Sequence, residues 1–254
     1  ATPERILELT VVDPAMGSGA FLVAACHFLA TAYERAVVRD RGVMAGDITD
    51  ADRAGFRRLV VQRCLYGVDL NSMAVQVARL SLWLATLAAH KPLTFLDHHL
   101  VVGNSLAGAS LDDVFRRPPG GSSRARASHS LPLFPADEVG LALHRLLPLR
   151  HQLAVVPDDT AAIVRDKERI LARIGGPAGH LAVWKQVADV WCAGWFWDTA
   201  AGTPPSAGEF ADMAAFVRGQ RASLPAATVQ ARLTHVRRMA REHRFFHWTL
   251  EFPE

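Results

Sequence analysis

Thr10-Val-Val-Asp13-Pro-Ala-Met-Gly17-Ser-Gly19 decides the fold. A β-branched run ends on an acid and a glycine-bearing loop follows. Over residues 20–38 apolar side chains then recur at helical spacing, at Phe21, Ala25, Phe28, Leu29, Ala32 and Tyr33. This reads as strand, loop, helix. A second unit of the same kind follows a polar interval at 39–53. Residues 64–69 (Cys-Leu-Tyr-Gly-Val-Asp) predict a buried strand, and Asn71-Ser72 supply the N-cap of a helix to about residue 89, with Val77, Leu80, Trp83, Leu84 and Leu87 along one side. Pro92 stops that helix, and a third strand is expected over 99–102, before the turn Gly103-Asn104-Ser105. Short buried strands alternating with helices of this length predict an α/β domain, its parallel sheet covered on both faces.

Downstream the pattern changes. Residues 116–130 are low in complexity and lack large apolar groups, which predicts a mobile loop. Residues 136–244 carry helical periodicity, broken at Pro157, at Gly175-Gly176-Pro177 and over 202–206. Phe246-His-Trp-Thr-Leu-Glu-Phe-Pro-Glu254 reads as the approach to another sheet strand. The expected organisation is a core over 1–110, a flexible loop plus α-helical insertion over 111–244, and a lead-in to the next core strand over 245–254.

The chain has 254 residues, half of them hydrophobic and 21% charged, which excludes a disordered polypeptide. No uninterrupted apolar run is long enough to span a bilayer, and the run at 21–32 lacks the basic flank of a secretory signal. A cytoplasmic protein with no membrane association is expected. Cys26, Cys64 and Cys192 form no Cys-x-x-Cys pair, so neither a disulfide framework nor a zinc ribbon is predicted. His98-His99 and the His243/His247 pair lack zincin spacing, and no metal is assigned.

The formal charge is only +3, but the basic excess lies within 111–244, and 25 of the 28 basic residues are arginine, the side chain that grips phosphate in a bidentate way. The densest run is Arg232, Arg237, Arg238, Arg241 and Arg244. A solvated helix face is its first reading, and contact with a DNA backbone its second. Trp184, Trp191 and Trp195 share a helical face, which makes core packing their default; a base-stacking platform would need exposed rings beside a basic groove.

In an open parallel sheet, ligands bind beyond the carboxyl ends of the strands. Three loops fall there. The first, from Asp13 to Gly19, puts an acid and small residues where a backbone can approach a ligand. The second, Gly67-Val-Asp69-Leu70-Asn71, offers a carboxylate able to accept from both hydroxyls of a ribose. The third, Gly103-Asn104-Ser105-Leu106, offers an amide able to read an adenine edge. The third glycine of a dinucleotide loop is missing, since Leu22 stands there, and no P-loop lysine is near. A nucleoside without phosphates fits these loops better. Taken alone, Gly17 and Gly19 would mark an ordinary tight turn; the full Asp-Pro-Ala-x-Gly-Ser-Gly is more specific.

Asp13-Pro-Ala-Met-Gly-Ser-Gly-Ala-Phe-Leu22, Tyr66-Gly-Val-Asp69-Leu-Asn71 with Leu80-Ser-Leu-Trp-Leu84, Asp97-His-His-Leu100 with Gly103-Asn-Ser-Leu106, and Phe246 to Glu254 resemble the adenine-specific DNA methyltransferases. The closest likeness is to the large enzymes of bacterial restriction-modification and related phage-defence systems. Val156-Pro-Asp-Asp-Thr160 with Lys167-Glu168, and Ala188-Asp-Val-Trp-Cys192, share the resemblance. It implies a Rossmann-like class I core that binds S-adenosyl-L-methionine. Asp13 and the backbone of Ala15, Met16, Gly17 and Gly19 would hold the methionine part, Asp69 the ribose, Leu70 an adenine face and Asn104 the adenine amino group. The acceptor implied is N6 of an adenine flipped out of double-stranded DNA, with other defence-system subunits as candidate partners.

The Asn/Asp-Pro-Pro-aromatic tetrapeptide of that family is absent: the Pro-Pro pairs, Arg117-Pro-Pro-Gly120 and Thr203-Pro-Pro-Ser206, do not fit it. No catalytic residue is therefore assigned, and a chain cut at both ends is expected. Asp69 also lies 50 residues after Gly19, farther than in a compact dinucleotide unit. Two other readings stand beside the first. One is the same cofactor with an RNA or protein acceptor; the other is a non-catalytic recognition or scaffold module that keeps the fold.

Overall fold

The computed structural model describes residues 2–253 apart from 43, 88–91, 93–95, 111–113, 115–135, 177–178, 180 and 199–201. The low-complexity loop read at 116–130 lies outside the described residues, as does the expected helix end at 88–89. The chain divides into two compact units, one formed by residues 1–103 with 149–172 and the other by 104–148 with 173–254. The division differs from the sequence reading, which kept 111–244 together: residues 149–172 group with the sheet-bearing unit.

In the first unit, α1 (Pro3–Leu7) starts at Thr2, whose hydroxyl accepts from the Arg5 N–H, with proline in the first turn, where its missing donor costs nothing. The strands β1 (Val11–Asp13), β2 (Leu65–Asp69) and β3 (Leu100–Val102) form a parallel sheet in the order β1-β2-β3. The register pairs Asp13 with Gly67 and Asp69 with Val102, so β2 runs two residues past the tip of β1. Between the strands lie α2 (Ala20–Arg41), α3 (Asp50–Cys64) and α4 (Ser72–Ala85). Thr49 and Asp52 close a reciprocal capping box on α3, and the Asn71 side chain caps α4 by accepting from the Met73 N–H at 2.9 Å.

The core of this unit gathers Leu22, Cys26, Val60, Val61, Cys64, Leu65, Val75, Ala78, Leu82 and Leu100, all at most 1% exposed. Burial pushes the Cys26 thiol up to about 12 and the Cys64 thiol up to about 11, so both remain protonated, as inert core thiols should. Among the described helices α2 is long and apolar enough to cross a membrane, yet it spends Leu22, Cys26, Leu29, Ala30 and Tyr33 on this core.

The helix faces depart from the sequence reading. On α2, Leu29 and Tyr33 are buried as expected, but Phe21 is 57% and Phe28 75% exposed. On α4 the predicted side, Val77, Leu80 and Leu84, is exposed, as is Leu87 just beyond the helix, and the core is met by Val75, Ala78 and Leu82 instead. Both helices are apolar nearly all round, so periodicity does not choose a side; close approach does. Small Ala78 faces the sheet because Gly19 lies against it, where an added Cβ would sit 3.0 Å from the Ala78 Cβ.

Residues 149–172 are joined to the sheet by buried polar groups. Asp158 is 1% exposed; its carboxylate pairs with Lys167 Nζ at 2.6 Å and accepts from Gln62 Nε2 at 2.5 Å, while its backbone carbonyl accepts from Arg58 at 3.0 Å. Lys167 also donates to the Val156 carbonyl, and Arg150 to that of His98. A buried charge pair is tolerated only when its remaining lone pairs and protons are satisfied in this manner. His98 and His99 lie beside this cluster, their ring centroids 4.1 Å apart and their planes tilted by 47°.

The second unit is helical. α5 (Ala136–Val155) belongs to it up to Pro148, and α6 (Ala161–Gly175) from residue 173; α7 (Ala182–Ala193), α8 (Ala207–Val217), α9 (Ala226–His243) and the short α10 (Trp248–Glu251) complete it. α7, α8 and α9 pack through Trp184, Val187, Phe210, Met213, Val229, Leu233 and Val236, each at most 6% exposed. A Ser206–Glu209 capping box starts α8, and Glu209 also pairs with Arg232 at 2.8 Å. The final stretch, read as the approach to a strand, forms a parallel bridge at Phe245 to Asn104 and then the helical turn of α10.

Candidate functional site

In the first unit the glycine loop and the tip of β2 are tied together by one carboxylate. Asp69 Oδ2 accepts from the Gly17 N–H at 2.8 Å, across 52 residues of chain, and Oδ1 accepts from the Asn71 N–H at 2.7 Å. The Met16 N–H donates to the Val68 carbonyl at 3.0 Å, and the Gly103 N–H to that of Asp69 at 3.0 Å. The ends of β1, β2 and β3 are thereby laced from loop to loop. Asp69 carries about four lone-pair sites, of which these bonds take two.

The two glycines of the loop do different things. Gly17 has φ +52°, and a Cβ there would meet nothing within 4 Å, so the loop is open above it. Gly19 has φ +82° and lies against Ala78, which makes it a packing residue and the left-handed start of α2. Met16 is 4% exposed and its thioether occupies the space a side chain at Gly67 would need, so its side chain belongs to the core. Ala15 is exposed, with its N–H bonded to Asp13 Oδ1 at 3.1 Å, and Leu70 is 54% exposed on the β2 loop.

Of the residues singled out in the sequence, Asp13, Ala15, Met16, Gly17, Gly19, Asp69 and Leu70 all stand at adjoining strand ends of the first unit. The loop spends the N–H groups of Ala15, Met16, Gly17 and Gly19 on internal acceptors. What these bonds leave over on the loop is acceptor capacity, including Asp13 Oδ2, and acceptors are chemically suited to an ammonium or to hydroxyls. Asn104 belongs to the second unit, where its Oδ1 accepts from the Leu106 N–H at 3.2 Å and its own N–H donates to the Arg244 carbonyl at 2.7 Å.

That second unit holds residues the spacing did not disclose. His247 is 2% exposed; its Nδ1 accepts from the Ala109 N–H at 3.1 Å, leaving Nε2 to face Asp189 Oδ1 at 3.1 Å. Trp248 donates its indole N–H to the Ser105 carbonyl, and a Cβ at Gly108 would run into the Phe246 carbonyl. Residues 104–109 and 244–248 are thus zipped together, with Asp189 and His247 linked across 58 residues. A shallow cleft beside them, about 130 Å³, is smaller than a nucleoside site requires. Among the described residues no cluster of His, Cys, Asp and Glu could hold a metal ion.

The class these features point to is supplied by comparison. Residues 1–100, which contain the Asp13–Gly19 loop and Asp69, match the family described as "MmeI, DNA-methyltransferase domain". The "Putative type II restriction enzyme and methyltransferase RM.MjaORFECS2P" of Methanocaldococcus jannaschii is 32% identical over 114 residues, which is 41% of this chain and 9% of that relative. The chain thus spans about a tenth of that relative's length. The likeness of the first unit is to DNA methyltransferases of restriction-modification systems. No solved structure matches the chain.

Proposed function

We propose that this chain is the cofactor-binding part of a methyltransferase acting on N6 of adenine in DNA, within a restriction-modification or related phage-defence system. The observation that carries the reading is the Asp69 clamp. One carboxylate holds the glycine loop and the β2 loop side by side and keeps two lone-pair sites for a ribose. The β1-β2-β3 order is that of one half of a Rossmann-like sheet.

The donor set fits S-adenosyl-L-methionine. Asp13 and the carbonyls of the 13–19 loop face an ammonium, Gly17 leaves the loop open, and exposed Leu70 offers an apolar face to adenine. Nothing in these loops clamps a phosphate. The cofactor brings a methyl group on a sulfonium, ready for direct displacement by an amine. The chain's own residues bind and orient it; the tetrapeptide that would hold the acceptor amine does not occur in the sequence.

The test is transfer of a labelled methyl group by the full protein. The expected product is N6-methyladenine in double-stranded DNA. Label on RNA or protein would redirect the acceptor, and no transfer with cofactor bound would favour a recognition module that keeps the fold.

A further inference from the structure

We infer that the C-terminal end of α9, together with Phe196, forms a binding surface for an unstacked DNA strand, with phosphates on arginines and a base against the exposed rings. The inference rests on the preceding reading for the choice of DNA over other polyanions; the surface itself stands on residues of the second unit alone.

The charge comes first. Arg237, Arg241 and Arg244 recur at i, i+4 and i+7 and are all exposed on one side of α9 and its cap. Arg237 and Arg241 have no acidic partner among the described residues, whereas Arg238 is engaged by Glu242 at 3.4 Å and Arg232 by Glu209 at 2.8 Å. Two neighbouring exposed arginines without an acidic partner, as Arg237 and Arg241 are among the described residues, are the pattern that grips phosphate.

Rings meet that face at its C-terminal end. Phe196 lies 4.7 Å from His243 and 5.4 Å from Phe245, and the His243 and Phe245 rings are within 10° of parallel. Phe196 is 41% exposed and its neighbour Trp195 65%, although core packing was the sequence default for that tryptophan. Exposed Phe196 and Trp195, with the half-buried rings of His243 and Phe245 behind Phe196, set rings beside arginines, the arrangement single-strand binders use because any base can stack on it.

The backbone gives a third observation. Arg244, with φ +52°, is the one non-glycine residue with positive φ among the described residues, at a C-cap where glycine is the usual choice. That unfavourable conformation is adopted by an arginine whose carbonyl holds the Asn104 N–H. The bond fixes the basic end of α9 to the loop at 104–106, where Leu106 is 95% exposed.

Fluorescence anisotropy with labelled single-stranded and duplex oligonucleotides, over a salt series, tests the surface. Arg237→Gln/Arg241→Gln should weaken both roughly tenfold or more and reduce the salt slope by about two. Phe196→Leu, which keeps the apolar bulk, should weaken single-stranded DNA roughly tenfold and duplex much less. Both variants are at exposed positions, and unchanged circular dichroism melting checks the fold. Affinities within about twofold of the parent in both variants would overturn the inference, as would a Phe196→Leu chain that keeps its single-strand affinity. Calorimetry with S-adenosylmethionine on the same proteins separates the two readings. A parent chain that binds DNA but not the cofactor contradicts the proposed function and leaves this surface standing; one that binds the cofactor but not DNA overturns the surface alone.

Discussion

The glycine-loop end of the first unit and the α9 end of the second are built on opposite plans. At the first, the polar groups turn inward: four loop N–H groups are spent on the protein, each oxygen of Asp69 accepts one of its bonds there, and a Cβ at Gly17 would meet nothing within 4 Å. At the second, large groups turn outward, with Arg237, Arg241, Arg244, Trp195 and Phe196 exposed. A pre-formed, backbone-lined niche suits one small ligand in one pose. An outward array of cations and rings suits a long, repetitive polyanion. If both proposals hold, the same chain separates shape-specific from sequence-tolerant recognition.

The largest effect should come from the ionic staple in the first unit. Lys167→Met leaves the Asp158 carboxylate buried without its cation and should cost about 3–5 kcal/mol in urea unfolding. A loss below about 1 kcal/mol would mean that residues 149–172 do not secure the unit. Next come the glycines. Gly19→Ala combines a left-handed φ with the Ala78 contact and should cost about 2 kcal/mol or more, against about 1 kcal/mol for Gly17→Ala, whose surroundings are open. Equal losses would dissolve the division between a packing glycine and a ligand-facing one.

A third effect depends on pH. Burial, assisted by nearby Arg150, depresses the His99 imidazole to about 3, and burial holds His98 well below its ordinary value. The unfolded chain takes up these protons near pH 6.5 and the folded one does not. The stability His99 confers is therefore intact above pH 6.5 and falls by about 1.4 kcal/mol per unit as the pH drops toward 3, and His98 adds a loss of the same sign. Chemical denaturation between pH 7.5 and 4.5 measures it, and His99→Gln should flatten the slope. Smallest are the caps, which allow the units to be compared on equal chemistry. Thr49→Ala in the first and Ser206→Ala in the second should each cost about 1 kcal/mol by thermal unfolding.

Much of the first unit is legible in its sequence, because strand tips, glycine loops and an asparagine N-cap are local events. Val11 to Asp13, Leu65 to Asp69 and the start of α4 at Ser72 fall where residue type alone puts them. The faces of α2 and α4 were not legible. Phe21, Phe28, Leu80 and Leu84 satisfy a helical period as well as Leu22, Cys26, Ala78 and Leu82 do, and tertiary contacts such as that of Gly19 with Ala78 lie outside any local pattern. The Asp69 clamp was half legible: its position gave a carboxylate at a strand tip, but its bond to Gly17 depends on a register that no local pattern encodes. In the second unit, Asp189 and His247 carry no spacing signal, and the exposure of Trp195 and Phe196 follows from how α7 ends, not from the period of their tryptophans.

The proposed cofactor site lies between the Asp13–Gly19 loop and Asp69. Isothermal titration of S-adenosylmethionine into the intact chain and into Asp69→Ala tests it most directly. The prediction is saturable one-to-one binding in the parent, weakened by about 1–3 kcal/mol in the variant as polar partners lose their acceptor. Equal affinity in the two proteins, or binding of ATP in place of the phosphate-free ligand, would contradict it.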